Sequence, residues 1–267
     1  MHRVVALVVA VLAGAGLAVG QTGAQANSTA LPLQRVAIEL PSLDVAQVVL
    51  HAAPAPSALK GPFVVQKLRL GAVEIPTFVP AVIVPASGTT AVRIELQLRA
   101  VPEQVLGLPL ERLPVSWEGT NEDGRERLTI EGTVNPTDPG SVDVPIKTLY
   151  DKYTKIADVR MFTENATVLV RVLSSLYNPF SFDLTATMLD YKVRAGEKEI
   201  IAGQRRGFRL RSRRWSDVVI EQEVAPADAA AGGFAALLRP SSVRVEGRMA
   251  IRTPTGDRVL QLALGGT

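Results

Sequence analysis

The chain has no cysteine, two histidines and only 5% aromatic residues. Without Cys there is no disulfide, no thiol nucleophile and no thiolate metal site. His2 falls in the N-terminal apolar run, so His51 is the single imidazole of the body. With no Cys, and no marked Ser or carboxylate as its partner, it reads as a structural residue at a strand end. Acidic residues are scattered, with no spacing that would converge two carboxylates or build a metal cage. Ala231-Gly232-Gly233 lacks the Lys and Ser/Thr of a phosphate-cradling loop. No catalytic, cofactor-binding or metal-binding residues are therefore expected. An excess of one charge is also missing: 29 basic against 26 acidic residues give a net +3. That balance argues against nucleic acid as a general partner. With 47% hydrophobic residues, the composition is that of a folded chain.

One long apolar run is present. Val4–Val19 is uncharged, follows Arg3, and leads to Ala24-Gln25-Ala26, the small-x-small pattern of a signal peptidase site. We expect residues 1–26 to be a signal peptide cleaved before Asn27, which places the protein in the periplasm, the cell envelope or the medium. An uncleaved anchor is the rival, but the run is short of the ~20 residues that span a bilayer. No Cys follows it for lipid attachment. Loss of Arg3 leaves 28 basic and 26 acidic residues.

Beyond it, the chain is written twice. Lys67-Leu-Arg-Leu-Gly-Ala-Val-Glu-Ile75 returns as Lys192-Val-Arg-Ala-Gly-Glu-Lys-Glu-Ile200. Val82, Val84, Val92 and Ile94 likewise precede Phe208, Leu210, Val218 and Ile220, at a spacing one residue longer. The period is too long for a solenoid and matches an independent domain.

The periodicity is that of strands. Val92, Ile94, Leu96 and Leu98 alternate with Arg93, Glu95, Gln97 and Arg99, which predicts a half-buried antiparallel strand. Phe182, Leu184, Ala186 and Met188 alternate likewise. The apolar phase then jumps to Leu189, Tyr191 and Val193, the mark of a β-bulge. Glu122-Asp123-Gly124 and Thr255-Gly256-Asp257 have tight-turn chemistry. Helical signal is confined to Pro102–Leu110 and Ala227–Leu238, each a short helix or turn, and to Pro145–Ala157. In the last, Ile146, Leu149, Tyr150, Tyr153 and Ile156 recur at helical spacing. The expected fold is all-β: two tandem antiparallel β-sandwiches of immunoglobulin or fibronectin type III character. They occupy residues 27–134 and 160–267, joined by a linker with a short amphipathic helix at 135–159.

The second copy carries an apolar strand from Val168 that ends in Asn178-Pro179. A strand with Tyr191, then Gly203, then the Val218-Val219-Ile220 strand follow. It resembles the type 2 late embryogenesis abundant family, also called the WHy (water stress and hypersensitive response) domain. The first copy departs from the pattern, with Ala53-Pro54 where Asn178-Pro179 stands and Gln66 where Tyr191 stands. The corner reads as structural, since Pro ends a ladder and Asn bonds nearby backbone. The resemblance implies a compact β-sandwich that protects other macromolecules against drying, heat, cold or oxidative stress, with no catalytic residues to carry over.

Two surface features remain. Arg205, Arg206, Arg209, Arg211, Arg213 and Arg214 fall within ten residues, where a strand burying Phe208 and Leu210 would project Arg209 and Arg211. They form a candidate anion-binding patch, because guanidinium forks match phosphate oxygens. The competing reading is a solvated edge strand whose charges block edge pairing. The matching stretch of the first copy, Thr77 to Pro85, is uncharged. There Ile75, Phe78, Val79, Val82 and Ile83 are either core or an exposed surface for unfolded clients. The function expected is an exported, non-enzymatic stress protectant that stabilises labile client proteins or membranes through weak contacts. The alternative is an envelope adaptor that docks on anionic lipid or an acidic partner through the arginine strand.

Overall fold

A computed structural model describes residues 27–55, 59, 61–84, 86–109, 111–164, 167–195, 198–224, 243–253 and 255–264. The expected signal peptide and the helix or turn expected at Ala227–Leu238 lie outside the described residues. No helix among the described residues is long and apolar enough to cross a membrane. The chain is all-β and sandwich-like, in two compact units that divide between Pro145 and Ile146.

The first unit contains β1 (Asn27–Glu39), β2 (Val45–Ala52), β3 (Phe63–Leu70), β4 (Val73–Ile75), β5 (Val82–Val84), β6 (Thr90–Gln97), β7 (Leu113–Asn121), β8 (Glu126–Val134) and β9 (Val142–Asp143). Their order is β4-β3-β7-β8-β1-β2-β6-β5, with β9 beside β1. Strand β1 makes this one continuous sheet. Its residues up to Pro32 run parallel to β8, and from Arg35 onward they run antiparallel to β2, after a register shift beyond Leu33. The alternation of β6 matches expectation, with Val92, Ile94 and Leu96 buried between half-exposed partners. Leu98 is buried as well, but in a 3-10 turn that begins after the strand ends. A second 3-10 turn, Glu103–Gly107, occupies the expected Pro102–Leu110 position. Trp117 is fully buried and meets Phe63 edge-to-face at 5.3 Å and 88°. Its indole N–H donates to Gln66 Oε1 at 3.2 Å, the partner that a buried Trp requires.

The second unit opens with α1 (Ile146–Tyr153), followed by β10 (Thr154–Glu164), β11 (Thr167–Asn178), β12 (Leu184–Ala195), β13 (Lys198–Leu210), β14 (Arg214–Val224), β15 (Val243–Thr253) and β16 (Gly256–Leu264). Two sheets form, β10-β11-β14 and β13-β12-β15-β16. The helical spacing runs on to Ala157, yet the helix stops at Tyr153. From Thr154 the chain pairs with β11, beginning opposite Leu176. An eight-residue helix is marginal alone, and a ladder partner outbids its next turn. Leu149 and Tyr153 are buried, and Tyr153 stacks on Tyr177 at 6.2 Å.

Strand pairings in the second unit repeat those in the first. β10 pairs β11, β11 pairs β14, β12 pairs β13 and β15, and β15 pairs β16. The same partners in the first unit are β1 with β2, β2 with β6, β3 with β4 and β7, and β7 with β8. Val48 faces Ile94 as Val172 faces Ile220. This register sets Pro54, rather than Ala53, at the place of Asn178.

The bulge in β12 falls where the apolar phase jumps. Its register with β15 shifts between Ala186 and Met188. Leu184 and Ala186, then Leu189, Tyr191 and Val193, are buried, and Met188 turns outward. The facing strand makes a matching step at Gly207, whose φ of 32° lies in the left-handed region that favours glycine.

Candidate functional site

The Asn178-Pro179 corner is built around one side chain. Asn178 is fully buried at the end of β11. Its Nδ2 donates to the carbonyls of Phe182 at 2.8 Å and Leu210 at 3.1 Å, and its Oδ1 accepts the Phe180 N–H at 3.1 Å. Pro179 has no N–H to continue the ladder, so the chain turns, and the Phe180 and Phe182 rings stack at 5.2 Å. Asp183 then reaches the β13–β14 turn, accepting the Ser212 N–H at 2.7 Å and pairing with Arg209 Nε at 3.4 Å. The Ser216 hydroxyl accepts the Arg211 N–H at 3.1 Å and closes the turn. The corner thus fixes the hairpin that carries the arginines, two features that the sequence presents separately.

Five of the six candidate arginines are exposed: Arg206 and Arg209 on β13, Arg211 and Arg213 in the turn, and Arg214 at the start of β14. Arg213 has a φ of 54°, strained for a residue with a Cβ. Arg205 faces the other way. The step at Gly207 puts it on the inner side with Ile201 and Gly203, where its guanidinium lies 5.6 Å from the Phe208 ring and donates to the Val219 carbonyl. Since β14 is the terminal strand of its sheet, Arg205 occupies part of an open edge rather than awaiting an anion.

Trp215 is the second residue of β14. It is 37% exposed, beside the arginine turn. Tyr177 packs against its ring at 5.5 Å, and the Lys155 ammonium sits 4.2 Å above the ring centre. The tryptophan is held in place, with a cation on its ring.

Tyr191 and Gly203 form a second close-fitting group. Tyr191 lies opposite Gly203 on one side and Gly247 on the other. A Cβ on Gly203 would stand 2.7 Å from the Tyr191 hydroxyl and 2.9 Å from Gln222 Oε1, so the glycine is the floor on which the ring rests. The hydroxyl donates to Gln222 Oε1 at 3.4 Å. Burial pushes the Tyr191 phenol up from its ordinary value, against a smaller opposite pull from Arg205. An open cleft of about 620 Å³ lies over this part of β12, β13 and β15. Asp190, Lys192, Glu246 and Arg248 line it in alternating sign, which gives no single-signed field for a charged ligand.

In the first unit the apolar stretch divides. Ile75 is buried, whereas Phe78 is 66% exposed, with Val79 and Val82 exposed beside it in the sequence. The reason is proline: Pro76 and Pro80 have no N–H, so the chain cannot ladder with β3 as β13 does with β12. Between the Phe63–Ala81 bridge and the Leu68–Ile75 pair, Gln66 Nε2 on β3 donates to the Val79 carbonyl at 2.5 Å. On β3 itself a register shift after Phe63 leaves Val64 exposed and Val65 69% exposed.

His51 lies in β2 opposite Arg35, which is itself paired with Asp143 at 2.7 Å. Burial lowers its imidazole below the ordinary 6.5, with Arg35 adding to the effect and Asp143 opposing it. Among the described residues there is no group of three His, Asp or Glu side chains placed to hold a metal ion.

No family model matches the chain, and no curated protein matches it. Solved structures offer distant likenesses. A protein from Archaeoglobus fulgidus is 8% identical over 40% of this chain and 91% of its own, with a TM-score of 0.29. A DUF4785 family protein from Legionella pneumophila is 10% identical over 84% of this chain, with a TM-score of 0.31. The chain spans 56% of the length of that second protein. Likeness at these scores carries no argument about function.

Proposed function

We propose that the protein is a non-enzymatic protectant, exported from the cytoplasm, that limits aggregation of partly unfolded client proteins during drying, heat or oxidative stress. The exposed apolar group of the first unit carries this reading. Val64 and Val65 on β3, Phe78 and Val79 on the proline-broken segment tied to it, and Val82 at the start of β5 are all exposed. Exposed apolar side chains gathered in one region are a feature of surfaces that contact other molecules. The resemblance of the second unit to the WHy family supports the same class of function. It also supports the finer reading of the fold as a tandem pair of immunoglobulin-like sandwiches. Two such units on one chain raise the effective concentration of weak contacts.

The test is residual activity of a labile dehydrogenase after desiccation and rehydration, with the full chain or an equal mass of albumin. Protection above albumin, reduced by Val65→Ser with Phe78→Ser, is expected. Both positions are solvent-facing, so the variant should fold, which near-UV circular dichroism checks. Parity with albumin, or full protection by the variant, would remove the reading.

A further inference from the structure

We infer that the β13–β14 turn is a docking tip for anionic phospholipid bilayers, with Arg211, Arg213 and Arg214 at the phosphates and the edge of Trp215 among the headgroups. The acidic side chains near the tip are already engaged. Asp183 takes the Ser212 N–H and pairs with Arg209, and Asp217 accepts the Ser175 hydroxyl at 2.6 Å. Arg206, Arg211, Arg213 and Arg214 have no carboxylate within ion-pair distance among the described residues, and Lys155 adds a cation over Trp215. The result is a positive end of the second unit that carries a partly exposed indole.

The shape selects the occupant. A hairpin end is convex and suits a planar surface rather than an enclosed ligand. Single-stranded nucleic acid would need an open aromatic face for stacking, but Lys155 sits over the Trp215 ring and Tyr177 packs against it. What remains exposed beside the cations suits the headgroup layer, where amphipathic aromatic rings accumulate. The tip is also held rigid. The Asn178 and Asp183 bonds fix the end of β13 and the turn, and Arg214 at the start of β14 is held by its ladder pairing with Asn178, so little ordering accompanies contact.

The inference is independent of the protectant reading, because it concerns a different unit and different residues. The experiment is co-sedimentation of the full chain with phosphatidylcholine vesicles, with and without phosphatidylglycerol, at low and at physiological salt. Binding should require phosphatidylglycerol and weaken with salt. Each cation near an anionic surface is worth about fivefold in affinity, so the Arg211→Gln, Arg213→Gly, Arg214→Gln variant should bind at least about tenfold more weakly. Glycine at 213 accepts the positive φ, so that variant should not lose its fold. Phosphatidylglycerol with brominated chains should quench Trp215 and spare the fully buried Trp117. Trp215→Ser should keep the salt dependence and lose the quenching. Equal binding to neutral vesicles, undiminished binding by the arginine variant, or absence of quenching would overturn the inference. So would tighter binding to polyglutamate or single-stranded DNA, which would reassign the tip to a polymer.

Discussion

Asn178 Nδ2 donates to the Leu210 carbonyl oxygen at 3.1 Å, joining the end of β11 to the end of the strand that carries the arginines. Because Asn178 is fully buried, its removal leaves the Leu210 and Phe182 carbonyls and the Phe180 N–H without this partner in a dry place. Orphaned buried groups cost about 1–3 kcal/mol each before relaxation. Asn178→Ala should therefore destabilise the second unit by about 3 kcal/mol in urea titration. Asn178→Asp should do no better, since a carboxylate would face two carbonyls. A loss under about 1 kcal/mol would show that the corner is not held by this side chain.

The glycines beside Tyr191 separate two kinds of crowding. At Gly203 a new methyl meets the ends of two side chains, which have some freedom to move. At Gly247 it would run into the Asp190 carbonyl oxygen, which is backbone in the middle of a ladder. Overpacking typically costs about 1–3 kcal/mol, and more where nothing gives way. Gly247→Ala should therefore destabilise more than Gly203→Ala. Adding Tyr191→Leu should recover part of the Gly203→Ala loss and none of the Gly247→Ala loss. A reversed order in thermal unfolding would contradict this account.

Sequence carried much of the fold, because half-buried strands announce themselves by alternation. The phase jump after Met188 was legible as a bulge, since an apolar alternation that slips by one residue has few other causes, but Met188, counted with the first run, faces outward. The end of α1 was not legible. Ile156 keeps helical spacing, and only the pairing of Thr154 with Leu176 reveals that a strand has taken over. The arginine cluster was visible as composition but not as geometry. Gly207 reverses the inside and outside of β13, so Arg205 belongs to the interior side while its five companions remain outside. The exposure of Phe78 hung on the same kind of detail, two prolines that break a strand which in the second unit runs on for thirteen residues.

Trp117 offers a test of whether the units melt separately. It is fully buried in the first unit, against Phe63 and bonded to Gln66. Deleting a buried Trp side chain costs about 3–5 kcal/mol. With a core in each unit, Trp117→Ala should pull one guanidinium transition to lower denaturant and leave a second in place. Fluorescence of the remaining Trp215 should report only the unmoved transition. A single shifted transition would show that the units unfold as one.

His51 supplies the pH dependence. Its folded imidazole lies below 6.5, chiefly through burial, with Arg35 adding to the effect. The folded state then binds fewer protons than the unfolded state between the folded value and 6.5, so stability rises with pH across that window. Above about 6.5 both states hold a neutral ring and the contribution is constant. As pH falls through 6.5 toward the folded value, the unfolded state gains a proton that the folded state resists, and stability is lost. His51→Gln removes this term while the carboxylates still titrate in both proteins. The variant should therefore lose less stability than the parent between about pH 7 and pH 5. Identical pH slopes in chemical denaturation would mean that His51 titrates alike in both states.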